Sequence, residues 1–93
     1  MKKRFFITYD LNKTGKDYEN VIESIKAASD GVWYSNWKSA FLIRTDLQSA
    51  EDVYNKINPY VDTNDTIIVI EAAYNFWGLN YNIDYVKNHI FKD

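Results

Sequence analysis

The chain has no cysteine, which excludes disulfides and thiolate metal sites. Histidine occurs once, at His89. A histidine-based metal cluster would therefore need ligands from another subunit, and one late histidine does not argue for a Ser-His-Asp relay. Glycine is scarce, with three in the chain. Lys13-Thr14-Gly15-Lys16 lacks the spacing of a phosphate-binding P-loop. No linker, repeat or low-complexity segment interrupts the sequence. Long apolar runs are also missing. After Met1-Lys2-Lys3-Arg4 the hydrophobic stretch Phe5 to Tyr9 breaks at Asp10, too short for a signal h-region or for the ~18 residues of a membrane span. These absences predict a soluble, cytoplasmic protein with no membrane partner. Positive charge is in deficit, with 11 Lys and Arg against 13 Asp and Glu, a net charge of −2. A dedicated duplex-DNA binder gathers an excess of Lys and Arg on one face, and this chain has no such excess beyond a local group of Lys2, Lys3, Arg4 and Lys13.

What is abundant is aromatic surface. Eight Tyr, five Phe and three Trp make up 17% of the chain, more than a small core requires. Aromatics in such numbers either fill the core with large side chains or cover an interface or binding face. The length of 93 residues predicts one domain, 1–93, that buries only ~60–65% of its unfolded surface. Dimerisation would add to a stability that is modest at this size.

Residues 4–11 read as a strand. Phe5, Ile7, Tyr9 and Leu11 alternate with Arg4, Phe6, Thr8 and Asp10, and both rows carry apolar residues, which predicts an interior strand covered on both faces at least in part. After the loop 12–16, Tyr18, Val21, Ile22, Ile25 and Ala28 follow helical spacing over about 17–29. Thr14 with Asp17 resembles a capping box, and Gly31 suits a left-handed cap. Strands are expected at 32–36 and 39–46, with Asn36-Trp37-Lys38 as the turn. A second capping pattern at Ser49-Ala50-Glu51-Asp52 opens a helix that Pro59 ends. Thr66 to Ala72 is a further strand. The order β-α-β-β-α-β predicts an α+β fold, a ferredoxin-like βαββαβ sandwich with four antiparallel strands and both helices on one face. The core is expected over 4–73, with a C-terminal helical extension over 74–93. In that extension Asn82 is a possible cap, and Ile83, Val86, Ile90 and Phe91 share one face. An apolar tail needs somewhere to be buried, either on the open face of its own sheet or across a partner subunit.

A hydrophobic strand that runs into Tyr9-Asp10-Leu11-Asn12 places a carboxylate at the mouth of the sheet, where it must be solvated, capped or paired. Asp10 is the candidate catalytic and metal-ligating residue, because phosphodiester cleavage with Mg²⁺ uses hard oxygen ligands supplied by one or two carboxylates. The alternative is that Asp10 caps the loop Asn12–Lys16 through backbone N–H groups. Thr8 shares its face. Asn12 either donates to a phosphate or holds the turn. Trp33, Trp37, Phe76 and Trp77 either stack bases or cover the open face and a dimer seam.

Tyr9-Asp10-Leu11-Asn12, the helix from Asp17, Ser39-Ala40-Phe41-Leu42-Ile43 and Asn64-Asp65-Thr66-Ile67-Ile68-Val69 together resemble the small SinR-like proteins. Those are related to the Cas-two family of CRISPR-associated ferredoxin-like proteins and, more distantly, to VapD-type toxins. The resemblance covers about residues 4–79. It implies a homodimer whose sheets face each other, with Phe6, Thr8, Phe76 and Trp77 at the interface and Asp10 at the cleft. It implies either a metal-dependent nuclease, using Mg²⁺ or Mn²⁺, or a structural subunit without catalysis. The segment that carries Arg and Lys for nucleic-acid backbones in the Cas-two proteins is matched here by Asn12, Lys13 and Lys16, with no Arg. The expectation is therefore a homodimeric interaction module, with a protein partner and a link to mobile elements or defence. The alternative is an endonuclease acting on RNA or DNA through Asp10.

Overall fold

A computed structural model describes residues 1–92; Asp93, the last residue of the expected extension, lies outside the described residues. The elements run β1 (Lys3–Asp10), α1 (Gly15–Ala28), β2 (Val32–Trp37), β3 (Ala40–Thr45), α2 (Ala50–Ile57), β4 (Thr66–Glu71) and a short tail helix α3 (Ile83–Tyr85). A single 3₁₀ turn, Asn58–Tyr60, follows α2, and a π-helical turn, Val86–Ile90, continues α3. The four strands form one antiparallel sheet in the order β2-β3-β1-β4. β1 is interior, as its two apolar rows predict, and β4 is an edge. Among the described residues, no helix is long and apolar enough to cross a membrane.

The sheet is covered on both faces, by different parts of the chain. On one face Phe5, Ile7 and Tyr9 of β1 and Phe41 and Ile43 of β3 pack against Val21, Ile25 and Ala28 of α1 and Val53 and Ile57 of α2. Those helical residues sit three or four apart, so each helix turns one apolar stripe to the sheet. Fully burying one such Ile or Phe contributes roughly 1.5–3 kcal/mol. On the other face Leu42 packs with Val86, Ile90 and Phe91 of the tail, and Phe6, Val32, Tyr34, Phe76, Tyr81 and Tyr85 join them. The tail thus folds back over its own sheet.

Local chemistry explains most of the boundaries. Ser49 Oγ accepts the Asp52 N–H at 3.0 Å and caps α2. Pro59 sits in the 3₁₀ turn that ends α2. After α1, Asp30 and Gly31 take left-handed φ values of 54° and 87°, the region that glycine occupies at no steric cost. Three features differ from the sequence reading. Ile83 is 52% exposed, off the face that Val86, Ile90 and Phe91 bury against the sheet. Thr14 flanks α1 in extended conformation, but its side chain makes no capping bond. The β2–β3 hairpin turns at Lys38-Ser39 rather than at 36–38, because β2 carries an extra residue. Tyr34 pairs with Leu42 and Trp37 with Ala40, so three steps on β2 match two on β3. This β-bulge flips the alternation and puts Trp37 on the same face as Tyr34. There Trp37 makes edge contacts with Tyr34 at 5.6 Å and with Phe6 at 5.7 Å.

Candidate functional site

Two regions hold the candidate residues: the end of the sheet at Asp10, and the face under the tail. Asp10 closes β1 opposite Thr66. It is exposed, and no hydrogen bond or ion pair among the described residues engages its carboxylate. It does not cap the following loop. That role falls to Asp65, whose Oδ1 accepts the Asn12 N–H at 2.7 Å and whose Oδ2 accepts the Asp62 N–H at 2.8 Å.

Asp65 also pairs with Lys13, Nζ to Oδ2, at 2.8 Å. Lys13 Nζ reaches Asp62 at 3.1 Å and donates to the Tyr60 carbonyl at 2.9 Å. An ammonium has three donors, and these three acceptors match them, so none remains for a phosphate. The Asp65 side chain is 0% exposed and that of Lys13 7%. The hydrogen bond that Lys13 donates to Asp65 holds the Lys13 ammonium above its usual range, and the same bond, with the Asp62 N–H, holds the Asp65 carboxyl below the usual carboxylate range. Burial alone would shift both groups the other way. Asn12 and Lys13 thus sit in a latch that ties the β1–α1 loop to the α2–β4 loop. Lys16 is exposed at the start of α1.

A metal at Asp10 needs several oxygen ligands. Among the described residues, no group of three or more His, Asp or Glu side chains converges to hold an ion. Asp10 therefore belongs to no such three-ligand cluster among the described residues of one chain. His89 lies against the Tyr85 ring at 4.8 Å on the tail.

The second region is built by the tail. Asn82 accepts the Tyr85 N–H through Oδ1 at 3.1 Å, as a cap should, and its own N–H donates to Tyr34 Oη at 2.9 Å. Phe91 stacks on Phe76 with centroids 4.7 Å apart. Arg4 and Arg44 stand opposite each other on β1 and β3. Arg4 Nε donates to the Ile90 carbonyl at 3.0 Å and Arg44 Nε to the Lys92 carbonyl at 2.9 Å. Like charges directly opposite repel across a sheet, and the carbonyl ends of the tail offset that repulsion.

Between the tail and the sheet lies a groove of about 580 Å³, lined by Phe6, Trp37, Leu42, Phe76 and Tyr81 and by the segment Trp77-Gly78-Leu79. The candidate interface residues therefore part company. Phe6 and Phe76 pack in the tail cluster. Thr8 Oγ1 donates to the Ser39 carbonyl at 3.1 Å. Trp77 is 98% exposed. Of the four aromatics proposed for base stacking, Trp33 lies on the helix side, with Lys26 Nζ 4.6 Å above its ring.

The residues that sequence reasoning missed are Asp65 and the arginine pair. Asp65 stands in the turn Asp62-Thr63-Asn64-Asp65 that leads into β4. The signal was its position next to Thr66, the strand partner of Asp10. For Arg44, the signal was a charged residue in the row with Ala40 and Leu42, which is otherwise apolar. No protein-family model matches the chain, and no curated protein matches it.

Proposed function

We propose that this chain is a cytoplasmic, ferredoxin-like homodimeric module of the SinR-like and Cas-two kind, which acts by binding a protein partner and performs no chemistry of its own. The observation that carries the homodimer is apolar surface left uncovered beside the tail: Trp77, Leu79, Tyr74, Ile68 and Ile70 are all at least half exposed. Patches of this kind rimmed by polar residues mark interaction sites. The strand order β2-β3-β1-β4 supports the ferredoxin-like reading, and the engagement of Lys13 by Asp65 supports a structural rather than a phosphate-binding task for that loop. Sedimentation velocity from nanomolar to high micromolar concentration tests the dimer. A monomer throughout that range refutes it.

One observation favours the endonuclease reading: Asp10 is exposed at a strand end with its carboxylate unengaged among the described residues. Purified protein with Mg²⁺ or Mn²⁺ and labelled RNA or DNA separates the two. The module cleaves neither. Cleavage that disappears in Asp10→Ala, with the circular dichroism spectrum unchanged, replaces the module with an enzyme.

A further inference from the structure

The segment Trp77-Gly78-Leu79 both lines the groove and exposes two large apolar side chains. Trp77 is 98% and Leu79 85% exposed, and both stand at its lip. Between them Gly78 lies against the Tyr81 ring, where an added Cβ would come within 3.1 Å of Cε1. Asn36 Nδ2 holds the same segment through the Asn80 carbonyl at 2.9 Å. The two anchors are thus presented on a fixed strap, so little conformational entropy is lost when they dock.

The apolar surface continues from the groove onto β4. Ile70 stands opposite Phe6, which lines the groove, and Ile68 opposite Thr8. These two isoleucines are 50% and 52% exposed. The described residues that line the groove include no charged side chain. Resting on the homodimer reading, we infer that a second copy of this chain occupies the groove, each copy seating its own Trp77 and Leu79 in the Phe6–Trp37–Phe76 hollow of the other.

Three points select a second copy. A two-fold interface is isologous, so one patch must hold both projection and recess, and this patch does. It is uncharged, so two chains of net charge −2 meet there without bringing like charges together. Its size also fits. Taking ~150–250 Å² for a fully exposed large side chain, the exposed parts of Trp37, Ile68, Ile70, Tyr74, Trp77 and Leu79 amount to roughly 700 Å². A standard interface buries about 800 Å² per partner.

The test compares sedimentation of the full chain with Trp77→Asp, Leu79→Asp and the control Tyr60→Ser, whose side chain is exposed elsewhere. Because Trp77 and Leu79 are exposed in the single chain, their substitution leaves the fold intact, which circular dichroism checks. The inference expects dimerisation of the two strap variants to weaken roughly 30-fold or more, as at a central anchor, with the control unchanged. Strap variants that dimerise as tightly as the parent overturn the inference and leave the homodimer standing. A parent chain that is monomeric at high micromolar concentration overturns both. So does a monomer that binds anilinonaphthalene sulfonate in a Trp77-dependent way, which would assign the groove to a small apolar ligand.

Discussion

Ile90→Ala tests whether the tail belongs to the folded unit or is merely laid on it. Ile90 is wholly buried, in a cluster with Leu42, Val86 and Phe91. Truncating a buried Ile to Ala removes its transfer free energy and leaves a cavity, at ~2–5 kcal/mol. We take about 3 kcal/mol, because Ile90 is fully enclosed while the neighbouring groove lets the site relax in part. A chain of 93 residues has a total stability of roughly 5–14 kcal/mol, so this one substitution removes a large fraction of it. At ~4–8 °C per kcal/mol for a domain of this size, Tm falls by roughly 12–24 °C. The tail and the helix-side core should unfold together, because they share strands. Phe6 and Leu42 face the tail from β1 and β3, whose other sides carry Phe5, Ile7, Phe41 and Ile43. A strand cannot lose its order on one face and keep it on the other. Urea unfolding followed by far-UV circular dichroism reads the result, with Ile25→Ala, wholly buried in the other cluster, as the benchmark. Both variants are expected to lower the midpoint by similar amounts at an unchanged slope. If Ile25→Ala costs about 3 kcal/mol and Ile90→Ala less than ~0.5 kcal/mol, the tail undocks before the domain opens and the shared-strand reasoning is wrong.

Two further predictions concern the loops. The Asp65 carboxyl is depressed in the folded state by the Lys13 hydrogen bond, so its contribution is fully present above the ordinary carboxylate range and is lost as pH falls through its lowered value. Lys13 is raised, so its share is fully present below the ordinary lysine range and lost only in stronger alkali. Both act fully at neutral pH. Asp65→Asn is expected to lower Tm at neutral pH and to flatten the acid limb of the Tm–pH curve; an acid limb as steep as the parent's refutes the latch. Ser49→Ala removes a formed cap and is expected to cost about 1 kcal/mol. Thr14→Ala removes none and is expected to stay within ~0.5 kcal/mol. Chemical denaturation of both variants checks the contrast, and equal losses refute it.

Elements governed by nearest neighbours along the chain were legible in the sequence. The two rows of β1 specified an interior strand because alternation is a local property. The stripes of α1 and α2, the stop at Pro59 and the cap at Asn82 likewise depend on residues within a turn of one another. What was not legible depends on partners far away in sequence. The bulge in β2 is a relation between two strands, and no residue in Tyr34-Ser35-Asn36-Trp37 announces it. Thr14 and Ser49 have similar capping patterns, yet only Ser49 forms the bond. At the candidate site, Asp10 was correctly placed at the end of the sheet. The carboxylate that closes its loop comes from Asp65, 53 residues away from Asn12. Lys13 read as a free cation because its acceptors lie on the α2–β4 loop.

The arginine pair shows how the tail changes what the sheet can do. Arg4 and Arg44, opposite each other on adjacent strands, would disfavour an open sheet face in a lone βαββαβ domain. They become favourable once the carbonyls of Ile90 and Lys92 lie above them. The tail therefore occupies the β2–β3–β1 part of the face through both apolar packing and charge-assisted hydrogen bonds. The β4 flank, with Ile68 and Ile70, and the strap at Trp77 and Leu79 stay uncovered. Two such chains cannot press bare sheets together over the part that the tail fills. If they pair, the seam runs along β4 and the strap, so the position of Asp10 relative to its symmetry mate follows from how the straps interlock.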